Sequence, residues 1–195
     1  MDDSEIVLSE DFDGPDSCLI NGPSSEGGEI YQEGGELHII APPAPREFEL
    51  APPLTWSVCE DETLSDFIVE VDATTLDGTV NNGYGILFRA NEDRFYAYFI
   101  SADGFDCLAF MDIGAGEEYP AVGCWSQIDE INQGMETNRI RVEAVDDELR
   151  IFVNGVLVGL ARENFAYRGQ VGLFAASYAN QETHVSFDNL LVVEK

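Results

Sequence analysis

The sequence predicts an all-β fold in which two antiparallel sheets stack as a jelly-roll sandwich. Three observations predict it. Apolar and polar residues alternate with period two through most of the chain. Turn signals cut that alternation into about a dozen short segments. A helical period is almost absent, and only the stretch from Ser126 to Glu136 could turn helically. So many strands exceed one flat sheet, and stacking two sheets gives each strand a face to bury.

The elements follow in order. "EIVLSEDF", "EIYQ" and "ELHIIAPP" read as short strands, and the prolines between Pro42 and Pro53 mark a loop or an edge strand. In "SDFIVEVDATT", Phe67, Val69 and Val71 alternate with Ile68, Glu70 and Asp72. "GYGILFRA" is a strand that Asn91-Glu92-Asp93 ends. "RFYAYFIS" is the next and closes at Asp103-Gly104. "FDCLAFMD" follows, with "YPAVGCW" pairing near it. Ile140, Val142 and Ala144 then alternate with charged residues until Asp146-Asp147. Leu149, Ile151 and Val153 lead into Asn154-Gly155, a pair that readily supplies the positive φ angles of a type I′ turn. Val156, Val158 and Leu160 continue beyond it, which makes three antiparallel strands in succession. "GQVGLFAAS" and "THVSFDNLLVVE" finish the chain. No repeat, low-complexity segment or linker interrupts it, so residues 1–195 read as one domain.

Composition limits the partners. The hydrophobic fraction is 45%, enough for a sizeable core. The net charge is -29, from 38 acids against 9 bases, and Lys195 is the only lysine. Such a surface repels phosphate backbones and anionic lipid, so neither nucleic acid nor a membrane surface is an expected partner. No apolar run approaches the ~18–20 residues of a membrane span. "MDDSEIVLSE" has no basic n-region and no apolar h-region, so an exported form is expected to have lost its leader. Cys18, Cys59, Cys107 and Cys124 permit three disulfide pairings and form no C-x-x-C. His38 and His184 lie far apart in sequence, so a zinc site is not expected, whereas two disulfides fit an oxidising compartment.

The acids of "LSEDFDG" raise a question of their own, since carboxylates crowd one phenylalanine there. The last strand repeats the pattern as Phe187-Asp188-Asn189. First and last strands of a jelly roll can lie side by side. Phe12 and Phe187 would then enter the core while the carboxylates gather outside, where a hard cation such as calcium relieves their repulsion. The same acids can equally serve as turn residues and solvated charges.

The run "LSEDFDG … EGGELHII … SDFIVEVDAT … YGILFRANEDRFYAYFISADGF … NRIRVEAVDDELRIFVNGVLVG … GQVGLFAAS … VSFDNLLV" resembles the concanavalin A-like lectin/glucanase superfamily from about Leu8 to Val193. Its central part is most similar to bacterial extracellular domains related to the 3-keto-disaccharide hydrolase domain and to laminin-G-like modules. The ends resemble the lichenase and laminarinase branch, which implies calcium held by the carbonyl of Asp11, the carbonyl of Gly35 and the side chain of Asp188. That branch hydrolyses β-glucans with a strand-borne E-x-D-x-x-E. The nearest match here, Glu70-Val71-Asp72-Ala73-Thr74-Thr75, lacks the third acid and reads as wet-face charge. Cys107 and Cys124 fall on strands expected to neighbour each other, which would pair them and leave Cys18 with Cys59.

A sugar-binding surface needs exposed aromatics with polar groups beside them. "RFYAYFIS" puts Phe95, Ala97 and Phe99 on one face and Tyr96, Tyr98 and Ile100 on the other. Tyr96 and Tyr98 beside Arg89 are the candidate platform. Trp125, Tyr119 and Tyr84 are candidate edges, and Asp106 and Asp112 candidate hydroxyl ligands. The stripe is also ordinary core material if both faces of its strand are covered. No G-x-S-x-G, phosphate loop or H-E-x-x-H occurs. The expectation is a non-catalytic, extracellular or cell-surface module that binds a glycan or surface polysaccharide and is stabilised by calcium. The alternatives are a glycoside-active enzyme of the keto-disaccharide hydrolase type, and a structural module beside other domains of a surface assembly.

Overall fold

The computed structural model describes residues 4–14, 17–19, 22–23, 27–44, 52–60, 62–92, 94–112, 117–162 and 166–195, with the backbone alone for 22–23 and 117–123. Among the described residues there are fifteen strands and no helix, so none of these elements is a membrane-spanning helix. The strands are β1 (Glu5–Glu10), β2 (Gly22–Pro23), β3 (Glu29–Glu33), β4 (Glu36–Ala41), β5 (Leu54–Val58), β6 (Phe67–Asp77), β7 (Gly83–Asn91) and β8 (Arg94–Ser101). They continue with β9 (Phe105–Asp112), β10 (Glu117–Gln127), β11 (Asn138–Val145), β12 (Glu148–Val153), β13 (Val156–Arg162), β14 (Gln170–Ala176) and β15 (Thr183–Glu194).

They form two antiparallel sheets, as the alternation predicts. The larger runs β13-β12-β11-β6-β15-β4-β3-β2, with β1 also paired to β15. The smaller runs β10-β9-β8-β7-β14-β5. The main core lies between the sheets: Phe67, Val69, Val71, Ile140, Val142 and Phe187 meet Tyr84, Ile86, Phe88, Tyr96, Tyr98 and Leu173. A second apolar cluster, built on Leu87, Phe95, Ala97, Phe99, Ala109 and Phe174, occupies the other face of the smaller sheet. Both faces of β8 are therefore buried.

The first and last strands do lie side by side. β1 pairs with the second half of β15, from Glu5 opposite Glu194 to Glu10 opposite Leu190. β4 pairs with the first half of the same strand, from Thr183 opposite Ala41 to Phe187 opposite Leu37. β1 and β4 thus share one edge of β15, and Asp188-Asn189 falls where one partner hands over to the other. Phe12 and Phe187 both enter the main core.

Two expectations change. The stretch 126–136 is the end of β10 and a series of turns rather than a helix. Asn138 Oδ1 accepts from Asn132 N at 2.8 Å and Asn138 Nδ2 donates to Asn132 O at 2.9 Å, while Gly134 takes φ 78°. These side-chain bonds replace the helical ladder, which is the usual way Asn competes with helix. The proline-rich segment leads into an unforeseen strand, β5, whose Leu54, Trp56 and Val58 face away from the main core. The Asn154-Gly155 turn is as predicted, with φ 51° and 83°.

Candidate functional site

At the handover on β15, three segments bring oxygen atoms together. Phe12 takes φ 52° and Asn189 φ 54°, both left-handed, and Gly34 and Gly35 take 66° and 85°. A bulky residue at positive φ is an outlier that its surroundings must hold in place, and burial of the Phe12 ring does so. A Cβ on Gly35 would lie 2.8 Å from Asp13 Oδ1 and 3.8 Å from the Asp11 carbonyl oxygen. Asp11 Oδ1 turns back to accept from Asp13 N at 3.2 Å. Burial pushes the Asp188 carboxyl above the usual range, opposed by the Asn189 N–H and reinforced by the negative charge of Glu36, Asp72 and Asp11. The handover thus sets the Asp11 carbonyl beside Gly35 and leaves the Asp188 carboxylate under repulsion from Glu36, Asp72 and Asp11. Among the described residues, no group of three or more His, Cys, Asp or Glu side chains is arranged to hold a metal.

The tyrosine stripe corrects the sequence reading. Tyr96 is fully buried, its ring stacked on Phe88 at 5.4 Å and edge-on to Phe110 at 5.2 Å. Tyr98 is also buried and donates to Asp106 Oδ2 at 3.2 Å. This pair lines a cavity of about 90 Å³ between the sheets, with Leu108, Ser126, Ile128 and Ile151 among the walls. Burial raises the Asp106 carboxyl despite the Tyr98 bond, and burial with Asp106 holds the Tyr98 hydroxyl well above its ordinary range. Tyr84 is buried as well and bonds with Asn138. These three rings are core because the larger sheet covers their face of β7 and β8.

Arg89 is buried near Tyr96 and forms no exposed platform edge. It sits in a bulge of β7 at φ 51°, fully buried, and its guanidinium donates to the carbonyls of Ser65, Asp146 and Ala166 at 2.7–3.3 Å. It closes the far end of the sandwich. Asp112 holds Arg94 at 2.9 Å. Glu70 and Asp72 stand on the outer face of the larger sheet among arginines. Arg139 binds Asp72 through two 2.7 Å hydrogen bonds, and Arg141 reaches Glu70 at 3.9 Å. The Arg139 bonds hold the Asp72 carboxyl below its usual range. Tyr119 belongs to the stretch whose side chains lie outside the described residues.

Among the described aromatics of the expected binding set, Trp125 is the one that is exposed. It is 39% exposed and takes φ 59°. The register of β10 on β9 shifts on both sides of Cys124, and Trp125 is the extra residue of the second shift, a bulge. The Cys107–Cys124 disulfide anchors that bulge to β9. Phe99 meets the indole edge-on at 5.4 Å, and Tyr178 does so at 5.0 Å. Gly83 makes this packing possible, since a Cβ there would stand 3.0 Å from Phe99 and 3.3 Å from Tyr178. Asn82 Oδ1 accepts from Tyr178 N at 2.8 Å and fixes that loop. Trp56 packs against Phe95 at 6.2 Å further along the same face. Sequence reasoning missed Tyr178, whose loop carries no pattern, although its place two residues beyond a strand end was available as a signal. Cys18 is bonded to Cys59, so both bridges follow the expected pairing.

No protein-family model matches the chain, and no curated protein matches it in sequence. Solved structures do resemble it in shape. The carbohydrate-binding module CBM66 of Bacillus subtilis superposes with a TM-score of 0.66 at 18% identity, over 88% of this chain and 94% of the module. The laminarinase catalytic domain of Thermotoga maritima gives 0.66 at 14% identity, over 99% of both chains. The β-glucanase of Bacillus licheniformis gives 0.65 at 10% identity, over 96% of this chain and 97% of the enzyme. The two antiparallel layers of the described residues, with the first and last strands adjacent, are thus the concanavalin A-like jelly-roll fold.

Proposed function

We propose that this domain binds carbohydrate without cleaving it, using the Trp125–Tyr178 surface on the outer face of the smaller sheet. One observation carries the reading. An indole is held in a left-handed bulge, half out of the protein, and two further aromatic rings buttress it. Rigid aromatic faces suit the C–H surfaces of a pyranose because little conformational entropy is lost on contact. Both resemblances, to a carbohydrate-binding module and to glucanases, are of shape and support a carbohydrate-related role. Glu70 and Asp72, the nearest approach to a glycosidase pair, lie on the other sheet and are held by arginines. The two disulfides support an extracellular or cell-surface setting. A glycan array run with calcium present should give hits that Trp125→Ala weakens at least ~10-fold, about 1.4 kcal/mol. The melting temperature should hardly move, because the indole lies outside the main core. Hits unaffected by Trp125→Ala and Tyr178→Ala would refute the site.

Calcium is the proposed cofactor, with a structural role. Asp11 and Gly35 would supply main-chain oxygens and Asp188 a carboxylate. The ion would relieve the repulsion at the handover and tie both chain ends to β15. At a hundred times the dissociation constant it should add ~2.7 kcal/mol, or roughly 5–10 °C in melting temperature at this size. Asp188→Asn should remove that increment. An identical melting curve in calcium and in chelator would count against the cradle.

A further inference from the structure

The chain has two histidines, 146 residues apart in sequence, and the fold brings them into contact. On β4, Leu37, Ile39 and Ala41 point into the core, so His38 points out. On β15, Val185 and Phe187 point in, so His184 points out beside it. His38 lies opposite Ser186 and His184 opposite Ile40, which makes the two imidazoles diagonal neighbours on one face. His38 Nδ1 stands 3.0 Å from His184 Nε2. Tyr31, directly opposite His38 on β3, stacks its ring on the His38 imidazole at 4.8 Å and brings its hydroxyl to 3.4 Å from the same His184 nitrogen. Two imidazole nitrogens and a phenol oxygen from three strands therefore converge.

The surroundings decide which His38 nitrogen carries the proton. His38 Nε2 lies 3.2 Å from the Glu33 carbonyl oxygen, which can only accept. The proton therefore sits on Nε2, and the lone pair of Nδ1 faces His184. A ring nitrogen fixed by a main-chain carbonyl while the other looks into a donor cluster is the second-shell arrangement of metal-binding histidines. Bonds of ~2.0–2.1 Å from zinc to imidazole in a tetrahedral site leave neighbouring donors about 3.3 Å apart, against contacts of 3.0 and 3.4 Å here. Every flanking element adds negative charge: Glu29 and Glu33 on β3, Glu36 on β4, Asp77 on β6 beside His184, and Glu182 just before β15.

We propose that Tyr31, His38 and His184 form a binding site for a borderline transition-metal cation of the zinc class. The site is separate from the calcium cradle in chemistry, since imidazole nitrogens suit zinc, nickel or copper and hard calcium prefers oxygen. It does not depend on the carbohydrate reading.

The test uses tag-free protein stripped with chelator and titrated with zinc chloride. With only two histidines in the chain, their imidazole resonances are unambiguous by NMR. One equivalent of zinc should shift both, and excess calcium should shift neither. Calorimetry should show one site, and His184→Ala, on the outward face, should weaken it at least ~10-fold. Zinc that leaves either imidazole unshifted would overturn the proposal. So would equal affinity in His184→Ala, which would mean that surface carboxylates bind the ion. Should that variant fail to fold, the NMR titration of the wild type decides alone.

Discussion

Arg89→Met should lower the unfolding free energy by about 3–5 kcal/mol, the largest loss expected from any single substitution considered. Arg89 is a fully buried cation whose guanidinium binds three main-chain carbonyls, those of Ser65, Asp146 and Ala166, with Asp66 at 3.9 Å. These carbonyls belong to the lead into β6, the β11–β12 turn and the segment after β13. One side chain thus satisfies acceptors from three separate segments at the closed end of the sandwich. Methionine fills much of the volume but takes the guanidinium's hydrogen bonds from all three carbonyls, and a hydrogen bond to a charged group is worth about 1.5–3 kcal/mol. Lysine restores the charge but not the planar fork that reaches several acceptors at once, so Arg89→Lys should fall between. The local backbone leaves little room to adjust, because Gly169 packs so closely that a Cβ would stand 2.3 Å from the Arg89 carbonyl carbon. Urea unfolding with an unchanged m-value is the measurement. A loss under about 1 kcal/mol would show that water or relaxed backbone can satisfy those carbonyls.

Replacing Cys18 and Cys59 together by serine should cost about 4 kcal/mol in the chain-entropy account of cross-links. The bridge closes a separation of 41 residues, against 17 for Cys107–Cys124. The shorter loop predicts about 3 kcal/mol, so the first pair should matter more. The longer bridge also anchors the stretch after β1 to the end of β5, where Leu19 and Cys59 form an isolated β-bridge. Through it the handover at Asp11 and Asp188 is tied to the smaller sheet. The double variant should therefore lose calcium response along with stability. Denaturant curves for the two double-serine variants check the order, and equal losses would mean that loop length is not the controlling quantity.

The two-layer fold was legible because alternation is a local property. Phe67, Val69 and Val71 must share a face whatever lies opposite, and so must Ile140, Val142 and Ala144. The Asn154-Gly155 turn follows from backbone sterics at two residues. The handover site was partly legible for the same reason, since acids beside Phe12 and Phe187 mark both strands that meet there. Alternation does not say which face another layer will cover. Tyr96 and Tyr98 share a face by arithmetic, but only the stacking of the larger sheet makes that face core. Only the bulge in β10 turns Trp125 outward onto Phe99 and Tyr178. The meeting of His38 with His184, and of Arg89 with three distant carbonyls, depends on strand order, which is set by packing across the whole chain. Residue pattern alone determined the layers and the turns; tertiary structure decided that the two ends meet, which aromatics see solvent and which distant polar groups touch, because burial and long-range contact arise only when sheets pack.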